Sequence, residues 1–270
     1  MVTNNINPLP GHRILNCIPS RDTERDWQMQ HALEAGVVAE ELEAAPDHVD
    51  IREPWWPIAD QGDTGSCVGW ATADSVLRWC MVKAGKLHQD DPLSVRYIWM
   101  ASKETDQFIS QPTTFVEGAG TSLKAALDIA RKFGAAREAD LPFKPPPLMF
   151  PGSTATFYAR AAKLRVAGYF NLGRDANEWR RWLASGGGPI LVRLDVDRTW
   201  DEAPDTDGKL DVYKRETARG GHAVAIVGYT ADRRFIVRNS WGTSWGRDGY
   251  GFASQEYAQQ AFTEAYGVTV

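Results

Sequence analysis

The run CVGWATADSVLRWCMVKAG, residues 67–85, carries so little polar surface before Arg78 and Lys83 that it predicts a largely buried helix, with Gly85 as its stop signal. Ser66 stands at the cap position, which puts Cys67 in the first turn. Upstream, residues 21–45 are charged, with apolar positions at Trp27, Met29, Leu33, Val37, Val38 and Leu42. This pattern fits a helix broken near Gly36 and ended by Pro46. Residues 47–65, rich in Pro, Asp and Gly, predict irregular chain. Two further helical patterns follow at 93–104 and 121–133, the second opened by Thr121 and closed by Gly134.

The tract KPPPLMFPG, residues 144–152, cannot be a regular element because its prolines remove backbone donors. Beyond it the pattern turns to short segments rich in Val, Ile, Tyr and Phe, at 164–170, 189–196, 222–229, 234–239, 249–253 and 266–270. A single helix at 176–185 interrupts them. Helices first and sheet second argue an α+β fold of two lobes with a cleft between them. The expected organisation is an extension over 1–49 and one catalytic unit over 50–270, with its helical lobe at about 60–142 and its β lobe at about 160–270.

Composition narrows the partners. The 270 residues are 43% hydrophobic and 24% charged, which excludes wholesale disorder, and the net charge of −5 lacks the concentrated positive charge of a nucleic-acid binder. No run approaches the ~18 apolar residues of a membrane span, and the first residues lack the pattern of a secretory signal. The three cysteines, Cys17, Cys67 and Cys80, are an odd number in a chain too large to need a disulfide framework. Free thiols, and with them a cytoplasmic location, are expected, with export by a signal-independent route left open. No spacing of Cys and His suggests a metal site, and no cofactor is expected.

A cysteine at a helix amino terminus has its thiolate favoured by the helix dipole and by free backbone donors. Cys80, among Trp79 and Met81, reads instead as a small buried hydrophobe. Gln61, Gly62, Gly65 and Ser66 precede Cys67 in a glycine-permitted turn, as expected where donors converge beside a nucleophile. Of the five histidines, His222 alone opens an apolar strand, after Gly220 and Gly221, and Asn239 follows at another strand end with Trp241 and Trp245 behind it.

QGDTGSCVGWA around Cys67, GGHAVAIVGY around His222 and NSWGTSWGRDGYG around Asn239 together resemble the papain-like cysteine peptidases, in the order Gln, Cys, His, Asn. LSVRYIWMASKE and EGAGTSLKAALDIARKFGA extend the similarity over the helical lobe. The resemblance implies a papain-like two-lobed fold, with a helical lobe facing an antiparallel β-sheet or barrel lobe. It implies Cys67 as nucleophile, His222 as its acid and base, Asn239 as orienter of the imidazole, and Gln61 as oxyanion donor with the Cys67 N–H. It further implies Trp241 as a shield over the His222 to Asn239 bond, and substrate contacts from Gly118, Gly120, Gly221, Ala223 and Trp245. Peptide-bond hydrolysis through a thioester would follow, with a peptide or protein as substrate. Other functions in view are a dedicated acyl transferase, deamidase or effector-type protease on the same fold, and an inactive binding module.

There are departures from the family pattern. Thr64 and Val68 stand where relatives often carry a cysteine and an aromatic residue, and Gly221 where they often carry Asp or Asn. His222 lies 155 residues after Cys67, modestly beyond the usual ~130–150, which implies an insertion before it. Residues 1–49 are too short for the family's globular prosegment. They read as a strap across the lobes, or a short removable segment, able to inhibit the enzyme in cis.

Overall fold

The computed structural model of the chain describes residues 13–39, 46–105, 120–144 and 154–270. The buried helix forms over 67–83. It begins as an α-turn, Cys67–Gly69, widens into a π-helical stretch, Trp70–Leu77, and returns to α geometry over Arg78–Lys83. Such widened turns shift the side-chain register along a helix and collect at functional sites. This helix is buried on nearly every side because the helices Val95–Thr105 and Leu123–Lys132 pack on one face and the sheet on the other. Gly69 permits the closest approach, since a Cβ there would lie 2.7 Å from the Val95 carbonyl oxygen.

The helix expected at 121–133 spans Leu123–Lys132, and its cap is Ser122 rather than Thr121. The Ser122 hydroxyl accepts from the Ala125 N–H at 3.3 Å, and Gly134, at φ +95°, ends the helix. The helix expected at 93–104 spans Val95–Thr105.

Eight strands make one sheet: β1 Val49–Asp50, β2 Gly168–Asn171, β3 Ile190–Val196, β4 Lys209–Leu210, β5 Gly220–Tyr229, β6 Phe235–Arg238, β7 Tyr250–Ala253 and β8 Phe262–Thr269. Their order is β2-β8-β3-β5-β6-β7-β4, with β1 on β5, and every pairing is antiparallel except β4 with β7. One apolar cluster fills the space between this sheet and the helices. A second lies on the opposite sheet face around Trp179, Trp182, Trp200, Tyr257 and Phe262. The α+β expectation therefore holds, with the helical elements carrying Cys67 and the sheet carrying His222 and Asn239.

Local expectations changed in several places. Of the helix expected at 21–45, only Met29–Glu34 forms in the described part, and Gly36 at φ +68° turns the chain beyond it; residues 40–45 lie outside the described residues. Within 47–65, Val49 and Asp50 pair with Tyr229 and Gly228, an edge pairing too short to leave a sequence pattern. Strand β8 starts at Phe262, earlier than the expected 266. The helices Thr154–Ala161, Thr199–Glu202 and Gln255–Ala261 were not anticipated. Residues 145–152 of the proline tract lie outside the described residues.

Asp74 ties the two lobes together. Its carboxylate meets Arg238 Nη2 at 2.7 Å and Arg78 Nη1 at 3.2 Å, and Arg238, 1% exposed, also donates to the Pro57 carbonyl at 2.8 Å. The helix that begins at Cys67 is thus clamped to the last residue of β6, immediately before Asn239.

Candidate active site

Two neighbouring strand ends bring His222 and Asn239 together. The β5–β6 register pairs Ala225 with Arg238, so the start of β5 and the end of β6 meet at the same edge of the sheet. His222 Nε2 lies 2.8 Å from Asn239 Oδ1, and the same oxygen accepts the Ser240 backbone N–H at 2.8 Å. A backbone N–H can only donate, so the Asn239 atom at this junction is the oxygen, and Nε2 must carry the imidazole proton. In the neutral ring the basic nitrogen is then Nδ1, which is buried and has no partner of its own.

Aromatic rings wall off this bond. The Trp241 ring centroid is 4.8 Å from that of His222, and Trp200 meets His222 edge-on at 5.6 Å. Trp245, 6% exposed, stacks behind Trp200 at 4.7 Å and donates its indole N–H to the Trp200 carbonyl at 3.0 Å. Trp200 is fixed in turn by its N–H to the Tyr257 hydroxyl, which donates to buried Asp197. Trp200 belongs to the short helix Thr199–Glu202, before β5. Nothing in the sequence around Trp200 distinguishes it from a tryptophan that fills a core.

Cys67 is fully buried at the first turn of its helix. Ser66 occupies the cap position without a side-chain cap bond, and its hydroxyl instead meets that of Thr64 at 2.5 Å. The Cys67 sulfur lies against the backbone N–H groups of Ala223 and Val68. Burial nevertheless dominates and pushes the thiol up to about 11. Burial likewise pulls His222 down to about 4, against its bond to Asn239. Burial thus favours the neutral form of each group.

Gln61 is buried with its amide orientation fixed. Oε1 accepts from the Ser240 hydroxyl at 2.9 Å, and Nε2 donates to the Thr64 carbonyl at 3.0 Å, which leaves the second amide hydrogen without a partner among these bonds. The Gln61 N–H also donates to the Ser240 carbonyl at 2.8 Å, so Gln61 and Asn239 are braced through one residue.

The chain's own segment from Arg13 to Ser20 is bonded to residues on both sides of this site. Arg13 donates to Asp60 at 2.6 Å, to the Gly62 carbonyl at 3.0 Å and to the Trp241 carbonyl at 3.3 Å. Cys17 N–H donates to the Gly221 carbonyl at 2.9 Å, and the Ile18 N–H to the Thr121 carbonyl at 3.2 Å. Arg193 Nε donates to the Cys17 carbonyl at 3.0 Å, and the Ser20 N–H to Glu264 at 2.9 Å.

Three glycines make this passage sterically open. A Cβ at Gly120 would stand 1.7 Å from the Asn16 carbonyl oxygen, one at Gly220 2.6 Å from that of Leu15, and one at Gly221 2.0 Å from that of Cys17. Gly120 and Gly221 thus both lie against the Arg13–Ser20 segment and the Ala223 N–H meets the Cys67 sulfur, while Gly118 lies outside the described residues. Cys80 is far from this passage, against Gly188 and close to Trp79.

A thiol at a helix start, an imidazole oriented by an amide oxygen and an aromatic wall, set between a helical lobe and an antiparallel sheet, define a class of thiol-dependent acyl-transfer site. The sequence comparisons agree with that class. The family described as papain family cysteine protease matches residues 45–267, and the chain belongs to this family. It is 27% identical over 218 residues to cathepsin J of Mus musculus, covering 76% of this chain and 59% of that protein. It is 28% identical over 224 residues to the cathepsin B-like CP3 of Giardia intestinalis, covering 76% and 68%. The chain spans about three-fifths of the length of the first of these relatives.

Among solved structures, xylellain, a cysteine protease from Xylella fastidiosa, superposes with a TM-score of 0.75 at 22% identity, over 97% of this chain and 99% of that one. Procathepsin L2 from the larval midgut of Tenebrio molitor gives 0.67 at 22% identity, over 96% and 78%. These two likenesses establish the papain-like fold. Among the described residues no helix is long and apolar enough to cross a membrane.

Proposed function

We propose that this chain is a cysteine peptidase, and that residues 13–20 hold it latent by lying across its own cleft. The observation that carries the reading is the 2.8 Å bond from His222 Nε2 to Asn239 Oδ1, which leaves Nδ1 as the base in a site shared with the Cys67 thiol. When the segment lifts, water reaches both groups, the burial penalty falls, and the Cys67 proton passes to His222 to give a thiolate and an imidazolium.

The sulfur then attacks the carbonyl carbon of a peptide substrate. The developing oxyanion is held by the Gln61 side-chain amide and the Cys67 N–H. His222 gives its proton to the leaving amine, the C–N bond breaks, and a thioester remains on Cys67. His222 then takes a proton from water, whose oxygen attacks the thioester and releases the acid and the thiol. Trp241 and Trp200 keep the imidazole-to-amide bond dry, where it is electrostatically strongest.

The substrate chain would run where Arg13–Ser20 now lies, along Gly120 and Gly221, with Ala223 beside the nucleophile and Trp245 behind the leaving-group side. Residues 1–49 would act as a strap rather than a folded prodomain. The three free thiols support a reducing, cytoplasmic setting. The test is hydrolysis of a diverse peptide library under reducing conditions by the full chain, by Gly221→Ala, which displaces the segment, and by Gly221→Ala with Cys67→Ala. Cleavage by the first two, faster in the second and absent from the third, is expected. Equal cleavage with and without Cys67 overturns the assignment.

A further inference from the structure

Cys17 is not needed to hold the strap in place, since its backbone makes the bonds to Gly221 and Arg193 and its sulfur has only a 4.0 Å approach to the Ile18 carbonyl. Its position is nevertheless specific. It pairs with the residue immediately before His222, and one residue past His222 the Ala223 N–H meets the Cys67 sulfur. Cys17 and Cys67 are 2% and 0% exposed and share one buried cluster, in which negative charge on Cys67 acts directly on Cys17. The segment thus carries a second thiol into the buried cluster that holds Cys67, one residue's bond away from His222. Burial pushes the Cys17 thiol well up, Cys67 and the acidic Glu264 and Asp195 add to this, and the Arg193 guanidinium, which also holds the Cys17 carbonyl, opposes it.

We propose that Cys17 and Cys67 form a reversible disulfide that locks the strap over the cleft when the protein meets a peroxide. The inference rests on the strap reading of residues 13–20. In the open state the Cys67 thiolate attacks one oxygen of hydrogen peroxide. The S–O bond forms, the O–O bond breaks, and hydroxide leaves and is protonated to water, so that Cys67 becomes a sulfenic acid. The strap closes and the Cys17 thiolate attacks the Cys67 sulfur. The S–S bond forms, the S–O bond breaks, and hydroxide leaves with the proton that Cys17 gave up. Two thiols lose two electrons in total and one peroxide becomes two waters. A dithiol reverses the bond by exchange and returns both cysteines to thiols. Without Cys17, the sulfenic acid is open to further peroxide and passes to sulfinic acid, from which a dithiol does not recover it.

The experiment uses the full chain treated with a small molar excess of hydrogen peroxide, blocked with iodoacetamide, digested without reductant and mapped by mass spectrometry. A peptide pair joined through Cys17 and Cys67 is expected, lost on dithiothreitol. Labelling of Cys67 by iodoacetamide, measured in parallel, returns in full after dithiothreitol. Cys17→Ser and Cys17→Ala should each yield Cys67 sulfinic acid and no recovery, while Cys80→Ser should leave the joined pair unchanged. Oxidation of Cys67 to sulfinic acid in the unaltered chain, a bond from Cys67 to Cys80, or an intact Cys67 each overturns the latch. The readout is a covalent bond, so a protein without peptidase activity still gives a decisive answer. Absence of hydrolysis by the reduced Gly221→Ala protein bears only on the peptidase reading.

Discussion

The Cys17 carbonyl oxygen lies 2.0 Å from the point where a Cβ on Gly221 would stand, so residue 221 can be nothing larger than glycine while the strap is seated. Papain-like relatives often carry Asp or Asn there, for which the Cys17 carbonyl leaves no room. Gly221→Ala, whose methyl group would also press within 2.7 Å of Arg193, should displace the segment. The expected result is at least a tenfold rise in the rate at which iodoacetamide labels Cys67 in the folded protein, measured by intact mass against time. An unchanged rate would mean that the segment does not control access to the thiol.

Opening the strap changes where one proton sits without changing how many are bound. In the closed state it is on Cys67, because burial pushes the thiol up to about 11 and holds His222 down to about 4. In the open thiolate–imidazolium pair it is on His222. Equal proton counts make the slope of the opening free energy with pH zero between those limits. Labelling of Cys67 in the full chain should therefore stay within about twofold from about pH 5 to 8, whereas an ordinary thiol gains about tenfold per unit below its pKa. A tenfold rise per unit would show that no such pair forms.

At the acid end a second group loosens the segment. Arg13 holds Asp60 below the usual carboxylate range, although partial burial opposes it, so their attraction is fully present above an ordinary aspartate pKa and fades as pH falls through the lowered one. Below about pH 4, where His222 also takes up a proton, labelling and limited proteolysis within residues 13–20 should both increase. Arg13→Ala should leave the segment looser at every pH and flatten the part of the rise that follows Asp60; labelling and proteolysis unchanged from the unaltered chain would mean that this pair does not hold the segment.

Gln61→Ala removes one oxyanion donor and should lower kcat about 10²–10³-fold, with KM changed far less, in steady-state kinetics on the Gly221→Ala background. Gln61→Glu keeps the packing and the acceptor for Ser240 but replaces the donor with a charge, and should be as slow. Near-normal kcat in either variant would place the oxyanion elsewhere.

Arg238, which burial pulls below the usual arginine range against the pull of Asp74, clamps the Cys67 helix to the strand end that carries Asn239. Arg238→Met leaves the buried Asp74 carboxylate with Arg78 alone and should cost about 3–5 kcal/mol of stability, read from the urea midpoint. Replacing Asp74 by Ala in the same protein should recover part of it, because the uncompensated charge is gone. A loss under about 1 kcal/mol for the single variant would mean that the clamp is solvated in solution.

These residues differ in how visible they were before the fold was known. Cys67, His222 and Asn239 stand in local motifs whose glycines, capping positions and tryptophans can be read within a dozen positions of each. The long helix and β3, β5, β6 and β7 follow from apolar runs that the burial confirms. The course of residues 13–20 was not legible, because its partners Gly120, Thr121, Arg193, Gly221 and Glu264 are distant in sequence and its bonds are made mainly by backbone. The sequence shows Gly221 only as a missing side chain; the Cys17 carbonyl that occupies the vacated space comes from a segment far away in sequence. Trp200 was hidden for a related reason, since nothing local distinguishes a tryptophan that faces His222 from one that fills a core.

In the proposed mechanism Cys67 carries the acyl group of a peptide bond in transit. The direct measurement is acid quench of the Gly221→Ala protein during turnover of an activated peptidyl ester, followed by intact mass and peptide mapping. One acyl group on Cys67, removable by hydroxylamine and absent from Cys17, Cys80 and the Cys67→Ala protein, is the predicted result. Turnover without an adduct on Cys67, or an acyl group carried on another residue, would contradict it.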